Sequence, residues 1–394
     1  MNEKLQNDYS HLMNTYRPQP VELVRGEGVY VWDITGRRFL DFVSGIAVNN
    51  LGHCHPAVVD AVARQAETLI HVSNLYRIPV QAELAALLCG NSFARACFFC
   101  NSGAEAVEAA VKLARRHGLQ TKGEAVSGVV AAQGSFHGRT MAAMTATGQE
   151  KIHGGFGPLV PGFSHVPFGD ATALEEAVGE DTAAVILEPI QGESGVVTPP
   201  DGYLARAKEI CRREGALLIF DEIQTGMGRT GTLFAYEQFG VEPDVMVLAK
   251  GLAGGLPMGA CLAGERAASV FEPGSHASTF GGNPLVSSAA CAVLKTTLED
   301  GVLDNCVTMG EYLMKELRRI ADTTDVVREV RGMGLMIGID MERGGPEAVD
   351  AFRERDILVN CTADRVLRFL PPLIVTKEEV DTVISAFEDI IGEM

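Results

Sequence analysis

Two polar residues of opposite charge each follow an apolar segment in the middle of the chain. Asp221 comes directly after residues 216–220, and Lys250 comes directly after residues 245–249. A carboxylate at the end of a buried parallel strand points into the crevice where open α/β sheets bind ligands, although such an acid is as often a helix cap or a surface group. A lysine partly withdrawn from water has a lowered pKa and can act as a nucleophile, but at a strand end it can also extend its amine into solvent.

A third candidate lies where a predicted strand gives way to a helix, in the segment Asn101-Ser102-Gly103-Ala104-Glu105. Ser102 and Glu105 have the spacing of a capping box, which alone indicates an ordinary well-capped helix. The small residues Gly103 and Ala104 would also let backbone N–H groups approach a phosphate. Acid, lysine and helix start together fit pyridoxal phosphate, whose ring nitrogen, aldehyde and phosphate need these three partners.

Apolar segments alternate with helical patterns around these residues. The predicted strands are 96–99, 128–132, 183–187, 216–220 and 245–249, and the predicted helices near them are 56–68, 79–88 and 203–214. Continuous apolar strands separated by helices form parallel sheets that are covered on both faces. We expect an α/β fold with a mostly parallel sheet in a large cofactor-binding domain, residues 51–289. A small α+β domain would combine both termini, residues 1–50 and 290–394.

The composition limits the classes of partner. The 394 residues include 33 Lys and Arg against 51 Asp and Glu, a formal net charge of −18, which repels nucleic acid and anionic lipid. Nine thinly spread cysteines indicate a reduced compartment, and no apolar run has the length of a membrane span. We expect a cytoplasmic protein without a nucleic-acid or membrane partner, in which a few placed cations hold anionic ligands.

Three further motifs predict no site. Residues 226–231 have the G-x-G-x-x-G spacing of a dinucleotide-binding loop, but five residues separate them from the strand end at which that fingerprint begins. Cys97 and Cys100 form a C-x-x-C motif, but residues three apart in a strand face opposite sides, so we expect no redox chemistry between them. The run His53-Cys54-His55 lacks further ligands, and we expect a turn there rather than a metal site.

Many segments of the chain, in order, resemble the class III, fold type I aminotransferases from Tyr16 to about Ala386, and most closely their acetylornithine and ornithine branch. The matching segments are VRGEGVYVWD, GIAVNNLGHCHP, VSNLYR, FFCNSGAEAVEAAVKLAR, SFHGRT, LEPIQGESGV, IFDEIQTGMGRTG, DVMVLAKGLAGGLPMGA, STFGGNPL, RGMGLMIGID and LRFLPPL. The resemblance implies a pyridoxal 5′-phosphate enzyme that moves the terminal amino group of N2-acetylornithine to 2-oxoglutarate. The products would be N-acetylglutamate 5-semialdehyde and glutamate, as in arginine biosynthesis.

Other activities within this chemistry stay open. Ornithine, succinylornithine or 4-aminobutyrate are alternative amino donors. A glutamate-1-semialdehyde-type aminomutase is more remote, because the arginine in LRFLPPL fits a 2-oxoglutarate site that such an enzyme does not need. A non-catalytic, cofactor-binding regulator would have no use for the lysine.

The resemblance also implies roles for individual residues around the cofactor. Lys250 and Asp221 would be catalytic, the first bonding to the cofactor and moving a proton, the second pairing with the pyridine nitrogen. Phe136 and Ile223 would contact the two faces of the ring. Thr279 would reach the phosphate in the neighbouring subunit's site, which implies a homodimer with shared active sites. The expected cofactor-binding residues are Ser102, Gly103, Ala104, Phe136, Glu188, Asp221, Ile223, Gln224, Lys250 and Thr279.

Four residues would contact the small-molecule substrates: Arg139, Glu193, Ser278 and Arg368. Arg139 would bind the α-carboxylate of the amino donor. Arg368 would bind a carboxylate of 2-oxoglutarate, and Glu193 would mask that arginine while a basic donor occupies the site. Bidentate guanidinium recognition of carboxylates suits both arginines.

Overall fold

The computed structural model describes residues 9–123 and 126–394. The strands in this part of the chain are β1 (Leu23–Glu27), β2 (Tyr30–Asp33), β3 (Arg38–Asp41), β4 (Ala96–Cys100), β5 (Gly128–Ala132), β6 (Phe163–Val166), β7 (Thr182–Leu187), β8 (Leu217–Asp221), β9 (Val245–Leu248), β10 (Gly259–Ala263), β11 (Val327–Met333), β12 (Met336–Met341), β13 (Ile357–Leu358), β14 (Asn360–Thr362) and β15 (Val366–Phe369). The helices are α1 (Ser44–Ala47), α2 (Pro56–Thr68), α3 (Pro79–Gly90), α4 (Gly103–Lys122), α5 (Met141–Ala146), α6 (Glu150–His153), α7 (Ala171–Ala177), α8 (Tyr203–Glu214), α9 (Ala235–Phe239), α10 (Pro284–Glu299), α11 (Val302–Ala321), α12 (Gly345–Glu354) and α13 (Lys377–Glu393), and a 3₁₀ turn covers Lys250–Ala253.

A seven-stranded sheet forms the centre of the fold, in the order β4-β10-β9-β8-β7-β5-β6. The run from β9 to β6 is parallel, and β10 lies antiparallel between β4 and β9. Every residue of β7, β8 and β9 is buried, as expected for strands covered on both faces. The mostly parallel α/β sheet predicted from the sequence is therefore confirmed.

Two four-stranded sheets lie outside the central sheet. One has the order β1-β2-β3-β13, with β13 parallel to β3, so it joins a strand from the start of the chain to one near its end. The other, β11-β12-β15-β14, is antiparallel throughout. The domain boundaries at residues 50 and 290 stay predictions, and the second of them falls within α10.

The long helices follow the sequence patterns closely, because their apolar residues recur at helical spacing. Helices α2 and α8 have the predicted bounds, and α3 extends two residues beyond its predicted end. Strand β10 was not predicted. Its five residues, GACLA, carry only one large apolar side chain and no β-branched one, so sheet pairing rather than local preference fixes the strand.

Helix α4 packs against the central sheet through a face rich in alanine. Ala106, Ala109, Ala110 and Ala114 are all buried there, and small side chains allow the helix to approach the strands closely. The start of α4 is thereby fixed at the carboxyl edge of the sheet. In the described ranges, no helix is long and apolar enough to cross a membrane.

Candidate active site

The two polar strand ends meet at one edge of the central sheet. Asp221 is the last residue of β8, and Lys250 follows two positions after the end of β9. These strands are adjacent and parallel, with Asp221 paired to Val247, so both side chains stand at the carboxyl edge where α/β folds bind ligands. A cavity of about 460 Å³ opens there. Eleven of the predicted site residues line it: Ser102, Gly103, Ala104, Phe136, Arg139, Glu188, Glu193, Asp221, Ile223, Gln224 and Lys250.

Lys250 occupies an unusual backbone position. Its φ of +44° lies in the left-handed region, which non-glycine residues rarely adopt. Burial lowers the pKa of its amine to about 8, against the opposing pull of the nearby Glu193 carboxylate. A lysine amine with this pKa is a usable nucleophile and proton carrier near neutral pH.

Asp221 is held from two sides and is only 3% exposed. One carboxylate oxygen accepts the backbone N–H of Ile223 at 3.1 Å, and the other lies 2.7 Å from Nδ1 of His137. Since a carboxylate only accepts hydrogen bonds, Nδ1 carries the proton and donates it. These contacts fix the orientation of the Asp221 carboxylate before any ligand binds.

Sequence reasoning did not assign a role to His137. The residue is buried, its backbone N–H donates to Oγ1 of Thr147 at 2.9 Å, and its Nε2 has no hydrogen-bond partner within the described residues. The SFHGRT motif did contain an indication of a role, because the imidazole of His137 lies between Phe136 and Arg139, two residues that were assigned to the site. Its partner is 84 positions away, so spacing alone could not reveal it.

The start of α4 forms the second end of the cavity. Ser102 caps the helix, since its Oγ accepts the N–H of Glu105 at 3.2 Å, and Glu105 in turn accepts the N–H of Asn101 at 2.8 Å. The first N–H groups of a helix have no acceptor inside it, and here they belong to the cavity-lining residues Gly103 and Ala104. This arrangement suits an anion such as phosphate.

Gly103 is required by close packing. A Cβ at this position would lie 2.7 Å from Cδ1 of Ile223, closer than real Cβ contacts come. The helix start therefore fits directly against a residue that lines the middle of the cavity. Phe136 also lines the cavity. Its backbone N–H donates to Oε2 of Glu188 at 3.0 Å, and this hydrogen bond holds the residue in place.

Glu188 is a buried acid beside the cavity. Burial raises the pKa of its carboxyl to about 7, although nearby His137 lowers it in part. Its Oε1 accepts the N–H of Gly192 at 3.3 Å. Glu188 therefore connects the loop that carries Phe136 to the loop that carries Glu193.

Beside Gln224 the cavity contains a partly buried ion pair. Nη1 of Arg368, on β15, lies 2.6 Å from Oε1 of Glu193, and the same nitrogen donates to Oε1 of Gln224 at 3.2 Å. Although burial opposes ionisation, the charges of Arg368 and Lys250 hold the pKa of Glu193 below its usual range. The third cation, Arg139, is exposed at the rim, its guanidinium carbon 5.8 Å from the centre of the Phe136 ring.

Two predicted residues do not reach this cavity. Oγ of Ser278 accepts from Nδ2 of Asn101 at 3.2 Å and from the N–H of Gly281 at 3.0 Å, one residue removed from the cavity lining. Thr279 is exposed and does not line this cavity in its own chain. No described His, Cys, Asp or Glu belongs to a group of three or more that could hold a metal ion, and His53 pairs with Asp41 at 2.7 Å.

These residues fit pyridoxal 5′-phosphate. The cavity volume lies in the range of roughly 300–1,000 Å³ usual for small-molecule sites. The cavity combines three groups. They are the free backbone N–H groups at the start of α4, where Gly103 has no side chain, the oriented carboxylate of Asp221, and the Lys250 amine with its lowered pKa. Phosphate, pyridine nitrogen and aldehyde each find the partner that their chemistry needs.

Comparison with known proteins decides the family. The family description "Aminotransferase class-III" matches residues 12–391 of the chain. The chain belongs to the class-III aminotransferases. The cofactor of this family is pyridoxal 5′-phosphate, in agreement with the residues of the cavity.

Curated relatives of this class-III aminotransferase cover nearly the whole chain. The acetylornithine aminotransferase of Methanothermobacter thermautotrophicus is 48% identical over 392 residues, which are 100% of this chain and 99% of the relative. That of Methanosarcina mazei is 51% identical over 98% of this chain and 95% of its own length.

A solved structure has the same fold. The ornithine aminotransferase of Toxoplasma gondii, described with partial occupancy of pyridoxal phosphate at its active site, superposes with a TM-score of 0.93 at 34% identity. The match covers 97% of this chain and 93% of that one. The predicted family and fold are thus confirmed.

Proposed function

We propose that this class-III aminotransferase moves the terminal amino group of N2-acetylornithine to 2-oxoglutarate, giving N-acetylglutamate 5-semialdehyde and glutamate in arginine biosynthesis. The observation that carries the proposal is the Arg368–Glu193 pair at 2.6 Å, next to the cavity that also holds Lys250. Two substrates alternate in such a site, and only one of them has a second carboxylate. The site therefore needs a cation whose charge is neutralised by a protein carboxylate for one substrate and is free to bind the other. The acetylornithine aminotransferase names of relatives 46–51% identical support this donor.

The bound cofactor supplies an aldehyde that takes the amino group and a ring that accepts electrons from the reacting carbon. The chain supplies the proton transfers and the orientation. Lys250, with a pKa near 8, can accept the proton of the donor carbon and return it on the other side of the reacting bond. Asp221, oriented by His137, keeps the pyridine nitrogen protonated.

Arg139 and Arg368 divide the recognition of the substrates. Arg139 at the cavity rim binds the α-carboxylate of the donor. While a donor with no second carboxylate is bound, Glu193 keeps the charge of Arg368 neutralised, because an unpaired buried cation would be strongly unfavourable. When 2-oxoglutarate binds, its carboxylate replaces that of Glu193.

Assays with a panel of donors test the substrate. Purified protein loaded with pyridoxal phosphate is given 2-oxoglutarate and, in turn, acetylornithine, ornithine, succinylornithine or 4-aminobutyrate, and glutamate formation is measured. The highest kcat/KM with acetylornithine supports the proposal, and no glutamate from acetylornithine overturns it. A parallel assay without any keto acid detects aminomutase activity.

We further propose that the active enzyme is a homodimer. Thr279 and its neighbour Phe280, which is 59% exposed, lie beside Leu75 and Tyr76, two other exposed apolar residues. Asn74 joins the two segments, because its Nδ2 donates to the backbone oxygens of residues 278 and 281 at 3.2 and 3.0 Å. An apolar surface of this kind next to a site is typical of a subunit interface.

Sedimentation of the active enzyme tests this assembly, since an active monomer would contradict it. The cytoplasmic location stays a prediction from the composition.

A further inference from the structure

Two cysteines outside the active site lie against each other. Cys89 is the second-last residue of α3, Cys97 is the second residue of β4, and their Sγ atoms are 3.6 Å apart. Both residues are partly buried against the same core. The C-x-x-C motif contains Cys97 and Cys100, for which we expected no redox chemistry, and Cys100 packs into the core on the other face of the sheet.

We propose that Cys89 and Cys97 form a dithiol site that a small-molecule disulfide oxidises to an intramolecular disulfide. A disulfide needs its two sulfurs ~2.05 Å apart, so the Sγ atoms must approach by about 1.5 Å. Only five residues, 91–95, connect α3 to β4. This short connection keeps the two thiols together, while β4 is an edge strand with one neighbour, β10, and can adjust.

The surroundings give the two thiols different reactivities. A hydrogen bond from Cys97 lowers the pKa of Cys89 to about 7, with help from the charge of Arg95 and against the effect of burial. The same contact, together with burial, raises the pKa of Cys97. Because the thiolate is the attacking form, Cys89 is the nucleophile, and the exposed residues Gly90 and Asn91 leave it open to solvent on one side.

The other buried cysteines are protected by their environment. Burial raises the pKa of Cys100 and of Cys211 to about 12 and that of Cys291 to about 11. These thiols react slowly because little thiolate forms near neutral pH. The pKa of Cys97 is raised as well, so Cys97 is selected as the second thiol by its position 3.6 Å from the Cys89 sulfur and not by its acidity.

The oxidation proceeds in two exchange steps with a disulfide such as glutathione disulfide. The Cys89 thiolate attacks one sulfur of that disulfide, its S–S bond breaks, and one glutathione leaves as the thiolate. The Cys97 thiol then loses its proton to water and attacks the Cys89 sulfur, and the second glutathione leaves. In sum, two protein thiols lose two electrons and two protons, and one glutathione disulfide becomes two glutathione molecules.

Peptide mapping of the holoenzyme tests the site. After incubation with glutathione disulfide, free thiols are blocked with N-ethylmaleimide and the protein is cut with trypsin without reductant. Cleavage at Arg77, Arg95 and Lys112 gives one peptide with Cys89 and one with Cys97 and Cys100. We expect the two peptides joined, two hydrogen atoms lighter than the sum of the unlinked peptides once any N-ethylmaleimide on Cys100 is counted, and separated again by dithiothreitol.

Single variants assign the bond. The joined peptide must persist in Cys100→Ser and in the control Cys54→Ser, whose cysteine is exposed and distant in sequence, and must vanish in Cys97→Ser and Cys89→Ser. Retained cofactor absorbance shows that each variant is folded. Joined peptides in Cys97→Ser, or a wild-type protein in which Cys89 carries only glutathione or N-ethylmaleimide, overturn the proposal.

Discussion

Arg368 and Glu193 form an ion pair at 2.6 Å in which the arginine side chain is only 1% exposed and the glutamate is 28% exposed. The two partners thus differ in exposure to the cavity and solvent. Arg368 is fixed in β15 among the backbone oxygen of Gly192 and the amide of Gln224, whereas Glu193 lies on a loop that connects strands and helices. We therefore expect Glu193, rather than Arg368, to move when the carboxylate partner is exchanged.

Glu193→Gln should weaken the distinction between the two substrates. Without the acidic partner, Arg368 stays uncovered, so 2-oxoglutarate and glutamate bind more tightly. We expect the preference for acetylornithine over glutamate as donor to fall about tenfold, ~1.4 kcal/mol. Steady-state kcat/KM for both donors measures it, and Glu329→Gln, which breaks the exposed pair with Arg331, should leave the ratio unchanged. An unchanged ratio in both variants would remove Glu193 from substrate selection.

Arg368→Lys should affect one half of the reaction. A lysine cannot give the forked pair of hydrogen bonds that a guanidinium gives to a carboxylate. We expect kcat/KM for 2-oxoglutarate to fall about 100-fold, ~2.7 kcal/mol, and single-turnover conversion of acetylornithine to change much less. Equal losses in both half-reactions, measured by stopped-flow absorbance, would argue for a purely structural arginine.

His137→Gln tests the partner of Asp221. Loss of the buried N–H donor leaves the carboxylate less well oriented, so we expect kcat to fall about tenfold, ~1.4 kcal/mol, with little change in KM. The pH at which the bound cofactor changes its absorbance should shift as well, which a merely structural role would not produce. His117→Gln, at a buried histidine of α4, serves as the control and should leave that spectral transition in place.

Gly103→Ala should weaken cofactor binding, because the added Cβ would lie 2.7 Å from Cδ1 of Ile223. We expect the Kd for pyridoxal phosphate to rise about tenfold, ~1.4 kcal/mol, by equilibrium titration of the cofactor-free protein. The added variant Ile223→Val removes the clashing carbon and should restore part of the affinity. The matched control is Gly90→Ala, also in a helix, where a Cβ meets nothing within 4 Å.

The pH dependence of cofactor attachment should report the amine of Lys250. Its pKa is lowered from 10.5 to about 8, so the reactive, unprotonated amine dominates above pH 8 rather than only above pH 10.5. In the cofactor-free protein, the rate of covalent attachment should rise with pH and level off above about 8. Mass spectrometry after borohydride reduction measures the attached fraction, and Lys250→Ala should show none at this position. A rate still rising steeply at pH 10 would contradict the lowered pKa.

The sequence was sufficient to predict the site residues that lie directly at the end of a strand or at the start of a helix. Asp221 and Lys250 follow strongly apolar strands, and Ser102 starts a long periodic helix, so local patterns were sufficient. His137 was not assigned a role, because its role depends on its contact with Asp221. Only the tertiary fold brings Nδ1 of His137 to 2.7 Å from the Asp221 carboxylate. The close contact of Cys89 with Cys97 was hidden for the same reason, since it depends on how α3 packs against β4.

The pairing of β13 with β3 has a consequence for how the protein is made. Ile357 lies beside Leu40 in that sheet, so more than three hundred residues must be synthesised before β3 meets its partner. At roughly 5–20 residues per second, β3 waits on the order of 15 to 60 s with an open edge. During that time the ribosome-bound chain exposes a strand edge able to pair with other chains, until β13 has emerged and covers it.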